Sequence, residues 1–232
     1  ELFRKTLIAD YNYGFNSVNG IMLFMSSEYE LLDKIDEKLS DLSHRKAECE
    51  YAVLQADDLR KKIAEIYSVK PEQVIATNGS DEVLNFAFMA FSDDKNPIVF
   101  PDITYGFYKV FAELYGIPCK KIPLNDDFSI NPDDYCGIGC LVVIANPNAP
   151  TGRALSVADI ERIVVSNPDN VVLIDEAYVD FGAESVYPLT KKYKNLLVVQ
   201  TFSKSRSMAG ARLGFAIADE QIISDLERIK YS

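Results

Sequence analysis

Cys140-Leu141-Val142-Val143-Ile144-Ala145 and Val171-Val172-Leu173-Ile174-Asp175 are two short apolar runs through which no polar residue alternates. A strand with one face in water alternates apolar and polar side chains, so runs of this kind read as strands buried on both faces in the middle of a parallel sheet. Outward from them, β-rich runs at 74–77, 97–100, 119–122, 196–201 and 213–218 alternate with helical patterns at 56–67, 81–90, 105–115, 157–166 and 220–230. That alternation predicts an α/β fold built on a mostly parallel, seven-stranded sheet with helices on both faces. Ligands of such sheets bind beyond the carboxyl ends of the strands, so chemistry is sought in the residues that follow each run.

The chain has 232 residues, 48% of them hydrophobic, which is enough to bury one large α/β core or two small ones. A formal charge of −11 leaves no basic footprint for nucleic acid or an anionic membrane surface, so small molecules or protein are the expected partners. Cys49, Cys119, Cys136 and Cys140 are too few for a disulfide scaffold and read as reduced thiols. His44, the only histidine, is remote from the Cys136–Cys140 pair, and no metal site is expected. No apolar run reaches the roughly 18 residues of a membrane span, and the first residues lack a signal peptide's apolar stretch; the expected compartment is cytoplasmic. The expected organisation is an N-terminal arm and first helix over 1–54, including a helix at 31–42, then a large domain over 55–232 with no complete second domain after it.

Asp175 closes one of the two central runs and is followed by Glu176, Ala177 and Tyr178. A carboxylate at a buried strand end calls for a cationic partner. The next apolar run, 196–201, leads into Phe202-Ser203-Lys204, and Arg212 follows within Ala209-Gly210-Ala211-Arg212-Leu213-Gly214, whose glycines permit close backbone approach to a ligand. Taken singly, an acidic pair after a strand is an ordinary helix cap and a lysine an ordinary surface charge. Together the three supply separate needs of one cofactor, pyridoxal 5'-phosphate (PLP). Lys204 gives an imine to its aldehyde, Asp175 keeps its pyridine nitrogen protonated, and Arg212 pairs with its phosphate. Asn78-Gly79-Ser80-Asp81-Glu82 is a glycine turn opening a helix, which is either a plain N-cap or a cradle of amides for that phosphate. Tyr105 follows another strand, where its ring suits stacking on a planar heterocycle. Asn146-Pro147-Asn148-Ala149-Pro150-Thr151-Gly152 makes a rigid turn after the 140–145 run. A dinucleotide-binding reading is disfavoured because no GxGxxG follows the first strand.

These six stretches, in this order, resemble the fold-type I PLP enzymes, and most closely the histidinol-phosphate aminotransferase family, over roughly residues 55–230. The similarity is carried by 78–82, by Asp175-Glu176-Ala177-Tyr178, and by 201–214, which runs from Thr201-Phe202-Ser203-Lys204 to Arg212-Leu213-Gly214. The resemblance implies the fold-type I large domain, with Lys204 holding PLP, Asp175 on the ring nitrogen, Tyr178 on the ring hydroxyl and Tyr105 stacked on the ring. It also implies that the Ser80 and Asp81 amides, Ser203 and Arg212 bind the phosphate, with Gly79 and Thr201 among the cofactor-binding residues. Where the family often has an asparagine on the ring hydroxyl this chain has Ala149, leaving that contact to Asn148 or Tyr178. The implied reaction is ping-pong transamination between an amino donor, glutamate, and a phosphorylated keto acceptor, imidazole acetol phosphate, giving histidinol phosphate for histidine biosynthesis. The implied assembly is a homodimer, and the family's C-terminal lobe is expected to be missing. Two other readings stand beside this one: a related PLP enzyme such as a threonine-phosphate decarboxylase, and a catalytically incomplete fragment that keeps the fold.

Overall fold

A computed structural model describes residues 46–230, with side chains from 57 onward. The chain divides into two units, Glu1–Asp58 and Leu59–Ser232, and the whole sheet belongs to the second. The helix expected at 31–42 lies outside the described residues.

Among the described residues, five α-helices and seven strands follow one another: α1 (Lys46–Tyr67), β1 (Val74–Asn78), α2 (Ser80–Phe91), β2 (Ile98–Pro101), α3 (Phe107–Tyr115), β3 (Cys119–Ile122), β4 (Leu141–Ala145), α4 (Val157–Ser166), β5 (Val172–Asp175), β6 (Leu196–Thr201), β7 (Leu213–Ile217) and α5 (Glu220–Ile229). Strand order across the sheet is β1-β7-β6-β5-β4-β2-β3. The α/β fold with its mostly parallel seven-stranded sheet is as expected, and the boundaries differ from the sequence reading by a residue or two. Helix α1 is the exception: it starts at Lys46 instead of 56, because residues 46–55 are mostly good helix formers even where their apolar periodicity is weak.

The central strands are buried throughout, every residue of β4, β5 and β6 included. Alternate side chains feed two cores. Leu141, Val143 and Leu173 pack toward one face with residues of α2, α3 and α5, among them Phe86, Tyr108 and Leu226. Val142, Ile144, Val172 and Ile174 pack toward the other face with Ile160, Ile163 and Val164 of α4. Each such side chain removed from water is worth about 1.5–3 kcal/mol, which is why the two uninterrupted apolar runs end up in the middle of the sheet. The outer strand β3 exposes Lys120 and Lys121, charges that discourage edge-to-edge pairing.

One strand runs against the rest. β7 pairs antiparallel with both β1 and β6, so its first residues lie level with the last residues of its neighbours: Leu213 faces Asn78, and Gly214 faces both Thr77 and Thr201. Arg212, which precedes β7, is thereby carried to the same edge of the sheet as the residues that follow β1 and β6.

Candidate active site

A cleft opens at that edge. It is lined by Ser80 and Asp81 from the start of α2, Tyr105 after β2, Ala145 and Ala149 after β4, Asp175, Ala177 and Tyr178 after β5, Thr201, Ser203 and Lys204 after β6, and Arg212 before β7. Nine of the eleven residues singled out from the sequence therefore meet in one place. The fold explains the convergence: five strands end there and the single antiparallel strand begins there.

At the floor of the cleft Asp175 is almost wholly buried. Its Oδ2 accepts a hydrogen bond from the Tyr108 hydroxyl at 2.8 Å, and its Oδ1 accepts one from the Ala177 amide at 3.1 Å. It enters no ion pair among the described residues. Burial pushes its carboxyl up to about 6, an effect opposed by those two donors, reinforced by the charge of Asp81 and countered by that of Lys204. A buried carboxylate so placed is matched to a cation arriving from the cleft.

Lys204 extends over the ring of Tyr178, its Nζ 5.1 Å from the ring centroid, within the range of a cation–π contact. The turn that carries Lys204 is tied to the turn that carries Tyr178. Ser205 donates its hydroxyl to Asp180, and Arg206 pairs with the same carboxylate at 3.2 Å. Arg206 also donates to the side-chain oxygen of Gln200 at 2.8 Å. At the end of β6 the Thr201 hydroxyl accepts the Ser203 amide at 3.2 Å, fixing the approach to Lys204.

Opposite lies an anion cradle. Helices α4 and α5 are capped by their own side chains, Ser156 and Asp219, whereas at the start of α2 the capping position is Gly79, which has no side chain to offer. The first-turn amides of α2 consequently face the cleft as donors. Gly79 adopts φ +79°, and a Cβ there would lie 2.7 Å from a terminal nitrogen of the Arg212 guanidinium. A Cβ on Gly214 would lie 2.3 Å from the backbone of Gly79 and Ser80. Two glycines thus let a helix N-terminus and a guanidinium converge on one small volume, an arrangement complementary to a phosphate.

Tyr105 is held in place by donating its hydroxyl to Asp81 at 2.9 Å and by packing against Phe107 and Tyr108. Burial, with the Asp81 charge beside it, pushes its phenol well above the usual range, so it stays neutral.

Two expected residues stand apart from the lining. Gly79 lies behind it, against Arg212. Asn148 is buried, with its amide nitrogen donating to the Ile103 carbonyl and to Thr151 and its oxygen accepting from Thr104. One bond closes the turn and two tie it to the segment after β2, and the neighbouring Ala149 is the residue that reaches the cleft. The sequence reading missed Tyr108. Its signal was its place three residues after Tyr105, one helical turn along the same side, but an aromatic at that spacing reads as core packing until its hydroxyl is seen to meet Asp175.

The sequence pattern of the aminotransferase class I and II family matches residues 19–232. A histidinol-phosphate aminotransferase of Brachyspira hyodysenteriae is 55% identical over 176 residues, covering 75% of this chain and 50% of that protein. The chain spans about half the length of the curated relatives it matches. Among solved structures, L-threonine-O-3-phosphate decarboxylase of Porphyromonas gingivalis superposes with a TM-score of 0.67 at 25% identity, over 75% of this chain and 55% of that one. The histidinol-phosphate aminotransferase of Sinorhizobium meliloti, solved with pyridoxal 5'-phosphate, shares the fold with a TM-score of 0.69 at 21% identity, over 75% of this chain and 49% of that one.

Proposed function

Because this chain belongs to the class I and II aminotransferase family, we propose that it is the cofactor-binding part of a PLP-dependent aminotransferase acting on histidinol phosphate, with residues 55–232 forming its large domain and 1–54 an arm and first helix. The observation that carries the reading is Asp175, a buried carboxylate without an ion-pair partner among the described residues, opening on a cleft that also holds Lys204 and an anion cradle. The donor set fits the cofactor part by part. Asp175 would meet the ring nitrogen, Tyr105 the ring face and Tyr178 the ring hydroxyl. The amides of Ser80 and Asp81, with Ser203 and Arg212, would meet the phosphate, Thr201 holding Ser203 in position, and Lys204 Nζ would provide the covalent attachment.

When bound, PLP supplies an aldehyde that condenses with amines and a protonated ring that draws electrons from the adjoining carbon. Asp175 holds the ring proton, and its buried setting leaves little water to compete for it. Lys204, whose Nζ would also hold the cofactor, is the amine placed to act as a base: it would take a proton from the substrate Cα and return it one atom away. Arg212 and the α2 amides fix the phosphate so that the reacting carbon stays within reach of Nζ.

Identity above 50% to relatives named for histidinol phosphate supports glutamate and imidazole acetol phosphate as the exchanged pair, in preference to the decarboxylase reading. We extend the proposal to a homodimer, as the resemblance implies, and to a cytoplasmic compartment; among the described residues no helix is long and apolar enough to cross a membrane.

Adding PLP to the protein should produce an absorbance band near the visible edge, and borohydride should fix the label on Lys204 in a peptide map. A Lys204→Ala protein that still gave the trapped adduct would overturn the assignment. Glutamate should then convert the bound cofactor to its amine form, and PLP binding with no such conversion would leave the incomplete-fragment reading standing.

A further inference from the structure

Tyr108 plays no part in the chemistry described so far, yet it is the largest fully buried polar side chain in contact with the site. Its ring is enclosed by Phe88, Phe100 and Tyr105 at centroid distances of 6.4, 5.9 and 5.5 Å. Such a shell needs only an aromatic hydrocarbon; phenylalanine would serve. The hydroxyl is explained by the 2.8 Å bond to Oδ2 of Asp175. We infer that Tyr108 is a positioning residue whose phenol holds the Asp175 carboxylate in one orientation, as an anion, with its remaining acceptor capacity turned toward the cleft.

The inference rests on the PLP reading for its purpose and on the geometry for its content. A buried carboxylate with two rotatable bonds has a choice of orientations, and two fixed donors on different oxygens, Tyr108 and the Ala177 amide, leave one. Donors to the charged form also oppose the cost of burial. The other titratable groups around Asp175 are Asp81 from α2, Tyr105 before α3, Tyr178 and Glu176 after β5, and Lys204 after β6. Positive charge comes from Lys204, which stands over the Tyr178 ring, and, in the same cleft, from Arg212, whose guanidinium lies against Gly79. Burial and the neighbouring Asp175 charge push the Tyr108 phenol far above its ordinary range, so it cannot become an anion at working pH and acts only as a donor.

The test uses Tyr108→Phe, which keeps the ring and deletes the hydroxyl. In protein carrying 13C-labelled aspartate, with the Asp175 signal identified by its loss in Asp175→Asn, the carboxyl midpoint without PLP should rise by about one to two pH units in Tyr108→Phe. Phe88→Leu, which loosens the same packing and spares the hydroxyl, should leave it in place. Equal shifts in both variants, or none in Tyr108→Phe, would overturn the inference. Should Tyr108→Phe fail to fold, the unaltered protein still decides: the Tyr108 hydroxyl proton should exchange slowly and correlate with the Asp175 carboxyl carbon, and a fast-exchanging proton without that correlation refutes the bond. With PLP labelled at the pyridine nitrogen, the nitrogen resonance should move toward the neutral ring in Tyr108→Phe, since the freed carboxylate competes better for the proton. Failure of the unaltered protein to take up PLP would refute the functional reading while the carboxyl titration still decided the role of Tyr108.

Discussion

Asp175 and Glu176 are adjacent, both buried, and emerge from the same strand, yet they serve opposite sides of the sheet. Asp175 turns to the side of α3, where two donors meet it and the cleft supplies the rest of its surroundings. Glu176 turns to the side where Val186 packs, and three donors converge on it: the Ser185 hydroxyl at 2.5 Å, the Val186 amide at 2.6 Å and the Gln200 amide at 2.8 Å. Gln200 in turn accepts from Tyr67 at 2.7 Å and from Arg206. The acid on the far side is therefore satisfied by the protein alone and knits α1, β6 and the Lys204 turn together. The acid in the cleft is left in want of a cation. Burial pushes both carboxyls upward, but what opposes that push is structural for Glu176 and in part prospective for Asp175. The difference teaches that a buried charge by itself marks no site; the mark is incomplete pairing that opens on a cavity.

Three substitutions can break the comparison. The largest effect is expected from Asp175→Asn on chemistry: conversion of bound PLP by glutamate should slow on the order of 100-fold or more, because a neutral amide cannot hold the ring proton, and stopped-flow absorbance would measure it. The equivalent Glu176→Gln protein should keep most of its rate; if both slowed alike, the two acids would not be distinct in role. Next is Glu176→Ala, which strands three donors, two of them buried, and should cost about 3 kcal/mol in urea unfolding, well beyond what a surface acid would cost. An unchanged unfolding midpoint would show that the network holds without it.

The smallest and most diagnostic effect is a gain. A carboxyl whose folded value is about 6 against 3.8 unfolded takes up its proton more readily in the folded chain. Its burial therefore costs nothing at low pH, and stability is lost as pH rises from about 4 to about 6, the cost staying constant above that. Without PLP, Asp175→Asn should accordingly be more stable than the unaltered protein at about pH 8, by roughly 1–3 kcal/mol, with the advantage vanishing near pH 4. Urea unfolding at the two pH values checks it, and an unaltered protein that proved the more stable at the higher pH would contradict the unpaired state of Asp175. PLP should reverse the order by binding the folded state of the unaltered protein more tightly.

Much of this was legible in the residues. The apolar runs at 140–145 and 171–174 announced central strands because nothing but burial on both faces accounts for six and four consecutive apolar side chains with no polar alternation. Asp175, Lys204 and Arg212 were legible as a set, since their residue types match three separate demands of one small molecule. Asn148 was harder: an asparagine in a turn after a strand is equally able to touch a ligand or to bond the protein, and its partners, Ile103 and Thr151 as acceptors and Thr104 as donor, include two more than forty residues away in the chain. Tyr108 was hidden for the same reason, its partner being 67 residues distant.

The sequence by itself determined the fold class and the buried strands, and it named most of the residues that share the cleft, because hydrophobic periodicity and residue type are local properties. Only the tertiary structure decided that β7 runs antiparallel, and with it that Arg212, lying before a strand, reaches the edge where the other strands end. Only the tertiary structure, too, divided Asp175 from Glu176. Which donors reach a carboxylate depends on elements far apart in the chain that the sheet brings together, and pairing across such distances leaves no periodicity to read.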